Sequence, residues 1–195
     1  MPRTPNRVYH SSQKQGLKKI SPHKSTHGHN WVYATLDMVM AAAFLGTKGG
    51  DFTCAVGRDS NTDKPYICER FKGAFDLRYD GVKGSIYVLP DENFMREQTL
   101  WQEEVVAEGA VEPLAEIKVD NAKQYLLKLE KSGKLNIKYY PEKIAGIPRD
   151  DSDLVKRVVV WSQKFGDEIL ERVKEYHPHL LSRVKKALKE EEQVK

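Results

Sequence analysis

No stretch of this sequence approaches the ~20 consecutive apolar residues that a bilayer-spanning helix requires, so a helical membrane protein is not expected. Cysteine is scarce: among 195 residues there are two, Cys54 and Cys68. Neither sits in a CxxC or Cys/His ligand spacing, so no zinc site is expected of them. A glycine-rich phosphate loop of either standard spacing is missing, as is a serine or cysteine in a nucleophile-elbow context. There is no internal repeat and no low-complexity tract. Charge of one sign is not in excess either: 32 Lys and Arg stand against 28 Asp and Glu, a net +4. So mild a surplus permits contact with nucleic acid without arguing for it. The leader MPRTPNR is basic but carries no apolar h-region, so it does not read as a secretory signal, and a cytoplasmic location is expected.

What is present is most informative between residues 7 and 45. A chain of this length can build one full core plus an appendage. Arg7 to Ser12 (RVYHSS) alternates and is rich in β-formers, which predicts a short strand with His10 near its end. A polar connection follows over 11–30, with Lys14, Lys18, Lys19 and Lys24, and with Leu17 and Ile20 as a partial anchor on the core. Trp31 to Ala34 predicts a second strand carrying Tyr33. Thr35 is a natural N-cap and Asp37 suits the first turn of a helix running to Leu45, with Gly46 stopping it. Leu36, Met38, Val39, Met40, three alanines, Phe44 and Leu45 put apolar groups nearly all round that helix, so it is expected to be buried.

Further along, residues 51–56 and 66–71 read as a hairpin about the polar tip GRDSNTDKP. Cys54 and Cys68 lie symmetrically about it and could face each other, although reduced, partly buried thiols are the plainer expectation. AFDLRY, a turn at Asp80 and Gly81, and GSIYVLP suggest a second hairpin, ended by Pro90 to Asn93. Short strands follow at 103–107 and 115–119. Beyond Val119 the pattern turns helical. Asn121 to Lys131 carries Ala122, Tyr125, Leu126 and Leu129 on one face and stops at Gly133. LNIKYY reads as a strand or an extended arm. Asp151 to Tyr176 reads as one amphipathic helix, with Leu154, Val158, Trp161, Phe165, Ile169, Val173 and Tyr176 in register. Pro178 opens a last helix whose charged end frays. The fold class is therefore α+β: a split antiparallel β core with a buried helix over 1–118, and a helical C-terminal region over 119–195 packed on it.

The candidate chemistry rests on His10, Tyr33 and the pair Glu103–Glu104. Successive strand residues point to opposite faces, so only one of the two glutamates can line a cleft. Taken singly, each residue has a plainer reading: a structural histidine, a core-facing tyrosine, a solvated glutamate. His23, His27 and His29 invite thoughts of a metal, but their spacing matches no familiar site and no fourth ligand is evident, so no metal is expected. Trp101 and Tyr87 read as packing.

In order along the chain, a strand ending YHSS, then GLK, then VYAT before an alanine-rich helix, then a late strand opening on Glu resembles the ADP-ribosyltransferase-like fold. The similarity covers residues 5 to 118 and lies nearest the subgroup of diphtheria toxin and the poly-ADP-ribose polymerases, with its His–Tyr–Glu set. Over its whole length, DDSDL at 150–154 included, the chain is also similar to bacterial proteins without an assigned role, which adds no function. The family resemblance implies NAD as substrate. His10 corresponds to the histidine that hydrogen-bonds the adenosine ribose, Tyr33 to the tyrosine that stacks on nicotinamide, and Glu104 to the catalytic glutamate, with Glu103 as fallback. Ser11 stands where the family usually has the glycine whose backbone clasps the nicotinamide amide.

That chemistry explains the residue types. Cleaving the nicotinamide–ribose bond builds positive charge on the ribose, as in glycoside cleavage. A carboxylate on the 2′-hydroxyl tightens its hold as that charge grows. A tyrosine offers a flat apolar face to a flat leaving group, and an imidazole has nitrogens for sugar hydroxyls. The expected activity is ADP-ribosyl transfer to a macromolecular acceptor, protein or nucleic acid, or to water. Two alternatives stand beside it. One is an RNA 2′-phosphotransferase-like enzyme, disfavoured because Arg7 is the only nearby arginine. The other is a catalytically inactive binding module for protein or nucleic acid, favoured by Ser11.

Overall fold

The computed structural model describes residues 7–24, 29–99 and 101–193. His27 and most of the basic leader lie outside them. The architecture is α+β, with antiparallel sheets and several helices. Among the described residues no helix is long and apolar enough to cross a membrane.

Backbone contacts divide the chain differently from the expected split at 118. One unit comprises Met1–Thr47 with Tyr79–Asn136, the other Lys48–Arg78 with Ile137–Lys195.

The first unit is built on a six-stranded antiparallel sheet. β1 (Arg7–Ser12) takes the span its alternation predicts, with Val8 buried. β2 (His23–Lys24) is minimal, and β3 is Asn30–Thr35. β6 (Gly84–Pro90), β7 (Glu104–Ala107) and β8 (Ala115–Val119) complete the sheet. The order is β2-β3-β1-β6-β8, with β7 on β3. Val8, Val32, Ala34, Tyr87, Leu89 and Val105 pack into the core of this unit. β6 lies between β1 and β8 and buries both faces, so it does not alternate. Gly84 admits β1 here: a Cβ at this position would stand 2.5 Å from the Ser12 carbonyl oxygen. The connection after β1 is tied down by polar groups. The Tyr87 hydroxyl donates to the Lys14 carbonyl at 2.8 Å and accepts from the Leu17 amide at 3.0 Å. Ile20, almost fully buried, bridges to Val111.

Helix α1 is shorter than expected and begins later, at Met38–Ala43. Thr35 is not its cap. It ends β3, and Asp37 caps the helix instead, accepting from the Val39 amide at 2.8 Å. Met40 and the three alanines are buried, while Leu36 and Phe44 at the margins are more than a third exposed. α3 (Ala122–Lys131) is capped by Asn121, whose side chain accepts from the Gln124 amide, and the chain turns away at Gly133.

The second unit pairs β4 (Cys54–Arg58) with β5 (Pro65–Glu69) as a hairpin, and β9 (Asn136–Lys138) joins β5. The two cysteines are free and buried. The register sets Cys68 across from Ala55 and Cys54 across from Glu69, so they are not directly opposed. Burial pushes the Cys54 thiol up to about 12.

The expected second hairpin is corrected: AFDLRY is helical, α2 (Ala74–Tyr79). Its buried residues fall as Ala74 with Arg78 and Phe75 with Tyr79, a spacing of four rather than two. The Glu69 carboxylate accepts from the Phe75 amide at 2.7 Å, satisfying a donor that a helix start leaves open.

The single long helix expected over 151–176 is two, α4 (Ser152–Phe165) and α5 (Asp167–Tyr176), broken at Gly166. A 3-10 turn at Pro178–Leu180 leads into α6 (Leu181–Glu192). Leu154, Val158, Ile169, Val173, Leu180 and Val184 form the core here with Phe52. Arg70, its side chain wholly buried, joins Asp151 at 3.1 Å and Asp153 at 2.8 Å, pinning the start of α4 beside β5. Removing one partner of so buried a set leaves a charge without compensation, which is why such networks resist change.

Candidate functional site

β1 pairs with β6 along its whole length, from Arg7–Pro90 to Ser12–Ser85. With β3 it pairs at one place among the described residues, Tyr9 with Thr35. Beyond that point the two strands diverge. β3 is held on its far edge by β7 and at its start by β2, where His23 meets Trp31. The result is a fork in the sheet, with His10 and Ser11 on one arm and Tyr33 and Ala34 on the other.

An imidazole occupies the place where a ladder partner would sit. His10 Nδ1 lies 2.7 Å from the Tyr33 carbonyl oxygen. A carbonyl only accepts, so Nδ1 carries the proton and the neutral ring keeps Nε2 as an acceptor. Burial lowers the His10 pKa below its ordinary 6.5; the Tyr33 carbonyl opposes that shift and His23 adds to it. The fork also explains how these residues meet at all. Tyr33, Thr35 and Glu104 share a face of the sheet through the Thr35–Glu104 pair, whereas His10, next to Tyr9, would face the other way in an unbroken sheet.

A cavity of about 180 Å³ fills the fork, lined on the strand side by His10, Ser11, Tyr33, Thr35 and Glu104. Phe44 and Trp101 form another part of its wall, edge to face at 5.3 Å. Trp101 is therefore a cleft residue as well as packing. Its only sequence signal is its place three residues before Glu104. Thr35 and Phe44 also line the cavity and carried no signal of a site, and His23, which the sequence raises only as a metal candidate, lines it too. The Tyr33 ring stands 5.5 Å from His23 and 6.2 Å from Trp31, and Trp31 stacks on His29 at 4.2 Å, an aromatic row running out along β3.

The four residues expected to handle NAD thus come together from three strands. Glu103, the fallback, does not line the cavity; its carbonyl receives the Leu36 amide at 3.3 Å. Glu104 begins β7, half-buried, with its amide on the Trp101 carbonyl at 3.0 Å. Ser11 lines the cavity where the family resemblance leads one to expect a glycine. At about 180 Å³ the cavity is below the ~300 Å³ at which clefts enclose a drug-sized ligand. It suits one flat ring and adjoining sugar atoms rather than an entire dinucleotide. No family model, curated protein or solved structure matches this chain.

Proposed function

We propose that the chain is an NAD-consuming ADP-ribosyltransferase of the split-sheet type, acting at the fork between β1 and β3. The observation that carries this reading is the convergence of an imidazole, a phenol and a carboxylate from β1, β3 and β7 on one cavity. The nicotinamide end of NAD enters the cavity and lies against the Tyr33 ring, while the rest of the dinucleotide extends beyond it. Glu104 accepts a hydrogen bond from the ribose 2′-hydroxyl and stabilises the cation as the glycosidic bond lengthens. The neutral His10 ring offers Nε2 to a sugar hydroxyl while Nδ1 stays on the β3 backbone. Nicotinamide leaves, and the ribose C1′ is taken by a macromolecular acceptor or by water.

The test is nicotinamide release from NAD. Glu104→Gln keeps the side chain's shape and removes its charge. It is expected to slow release some hundred- to thousandfold, about 3–4 kcal/mol of barrier, with the thermal transition unchanged. Turnover at the wild-type rate by that variant would refute the role given to Glu104.

A second reading, an inactive module binding protein or nucleic acid, is favoured by Ser11 on the cavity wall and by the small cavity. It predicts no nicotinamide release from the unaltered chain and salt-dependent binding to a partner. Among the described residues no arginine lines the cavity, which weighs against an RNA 2′-phosphotransferase.

A further inference from the structure

Within the second unit, Asp151, His177 and His179 bring one donor atom each to within 4.8 Å of the others. They arrive from two places in the chain. Asp151 precedes α4 in the left-handed region, at φ 53°, a conformation that aspartate tolerates better than most residues. His177 ends α5, and Pro178 turns the chain so that His179 comes round beside it, the two rings edge to face at 5.7 Å.

His177 is oriented as a ligand would be. Its Nε2 sits 2.6 Å from the Phe52 carbonyl oxygen, so Nε2 carries the proton and the Nδ1 lone pair is left for another partner. A backbone carbonyl fixing one ring nitrogen while the other faces an ion is the usual support of a metal-binding histidine. Asp151 is likewise held: Arg70 at 3.1 Å and Lys143 at 3.5 Å both approach its Oδ1. These cations hold the carboxylate in place, and they also oppose a dication beside it. The two imidazoles therefore have to supply most of the attraction. His179 is exposed and free to adjust. It can draw its donor atom towards the other two, to the donor separation of about 3.4 Å set by tetrahedral bonds of ~2.05 Å.

From this arrangement we infer that Asp151, His177 and His179 form a binding site for a zinc-class divalent cation, with one coordination position left to water. Two imidazoles and a carboxylate are the donor set that zinc accepts, and three protein ligands leave the fourth place open. Among the described residues, His23 and His29, which first draw attention in the sequence, are not part of this cluster.

The test uses the full chain, freed of metal with a chelator and titrated with zinc chloride by calorimetry, with the melting temperature followed in parallel. One ion bound per chain and a higher melting temperature are expected. His179→Ala, at an exposed position, is expected to keep the fold and the metal-free melting temperature but to lose both effects. The double variant His23→Ala/His29→Ala is expected to keep them. No uptake by the unaltered chain, uptake undiminished in His179→Ala, or uptake lost in the double variant would overturn the assignment.

Discussion

His10 commits one ring nitrogen to the Tyr33 carbonyl, and that single contact ties the two arms of the fork together. It also makes a pH signature. Burial lowers the pKa of this histidine in the folded chain below its ordinary 6.5. Its folded pKa is therefore depressed, and the unfolded chain binds the proton more readily. Above pH 6.5 both states are neutral and the group has no effect. As pH falls from there towards the folded pKa, the unfolded state gains, and stability declines. Chemical denaturation at about pH 7 and pH 5 should show this decline in the wild-type chain. His10→Gln, which can still donate to the Tyr33 carbonyl, should lose less stability over the same interval; an identical loss would show that the imidazole is not the titrating group. His10, Ser11, Tyr33 and Glu104 all lie on the cavity, yet their meeting depends on a divergence of strands that no local pattern encodes.

Among the elements, those with a clean local period were legible. β1 and β8 occupy the spans their alternation suggests, and α3 begins after the asparagine that caps it. The misreadings have physical causes. Thr35 looks like a cap but is a strand end paired to Glu104, and Asp37 two residues on does the capping. AFDLRY is too short for its period to be read, and its start is fixed by the Glu69 carboxylate at the end of β5. The apolar stripe of the C-terminal region runs on past Gly166, so periodicity alone joins what the backbone separates. Gly166 has φ 56° and ψ −139°, a conformation open essentially to glycine. A Cβ there would meet no neighbouring atom, so any cost is backbone strain rather than collision. Gly166→Ala is expected to destabilise the chain by about 1–3 kcal/mol. Urea unfolding measures it, and an unchanged midpoint would show that α4 and α5 tolerate a different join.

For the molecule as a whole, the grouping by contacts differs from a boundary at 118 because the chain returns. Lys48–Arg78 leaves the first unit early and is grouped with Ile137–Lys195, and such an excursion has no mark in composition. The alternation of the N-terminal strands and the stripe of the C-terminal helices are both local features, whereas the grouping of 48–78 follows from long-range pairing, β5 with β9 among others. The two units also hold separate chemistries: the cavity at the fork in one, the Asp151–His177–His179 cluster in the other. The account of the first depends on a dinucleotide being bound there. Titration of NAD into the full chain, followed by calorimetry, tests this most directly. A measurable heat of binding is expected in the wild-type chain, retained in Glu104→Gln and much weakened in Tyr33→Ala, which removes the stacking face. No heat from the wild-type chain, or undiminished binding by Tyr33→Ala, would contradict it.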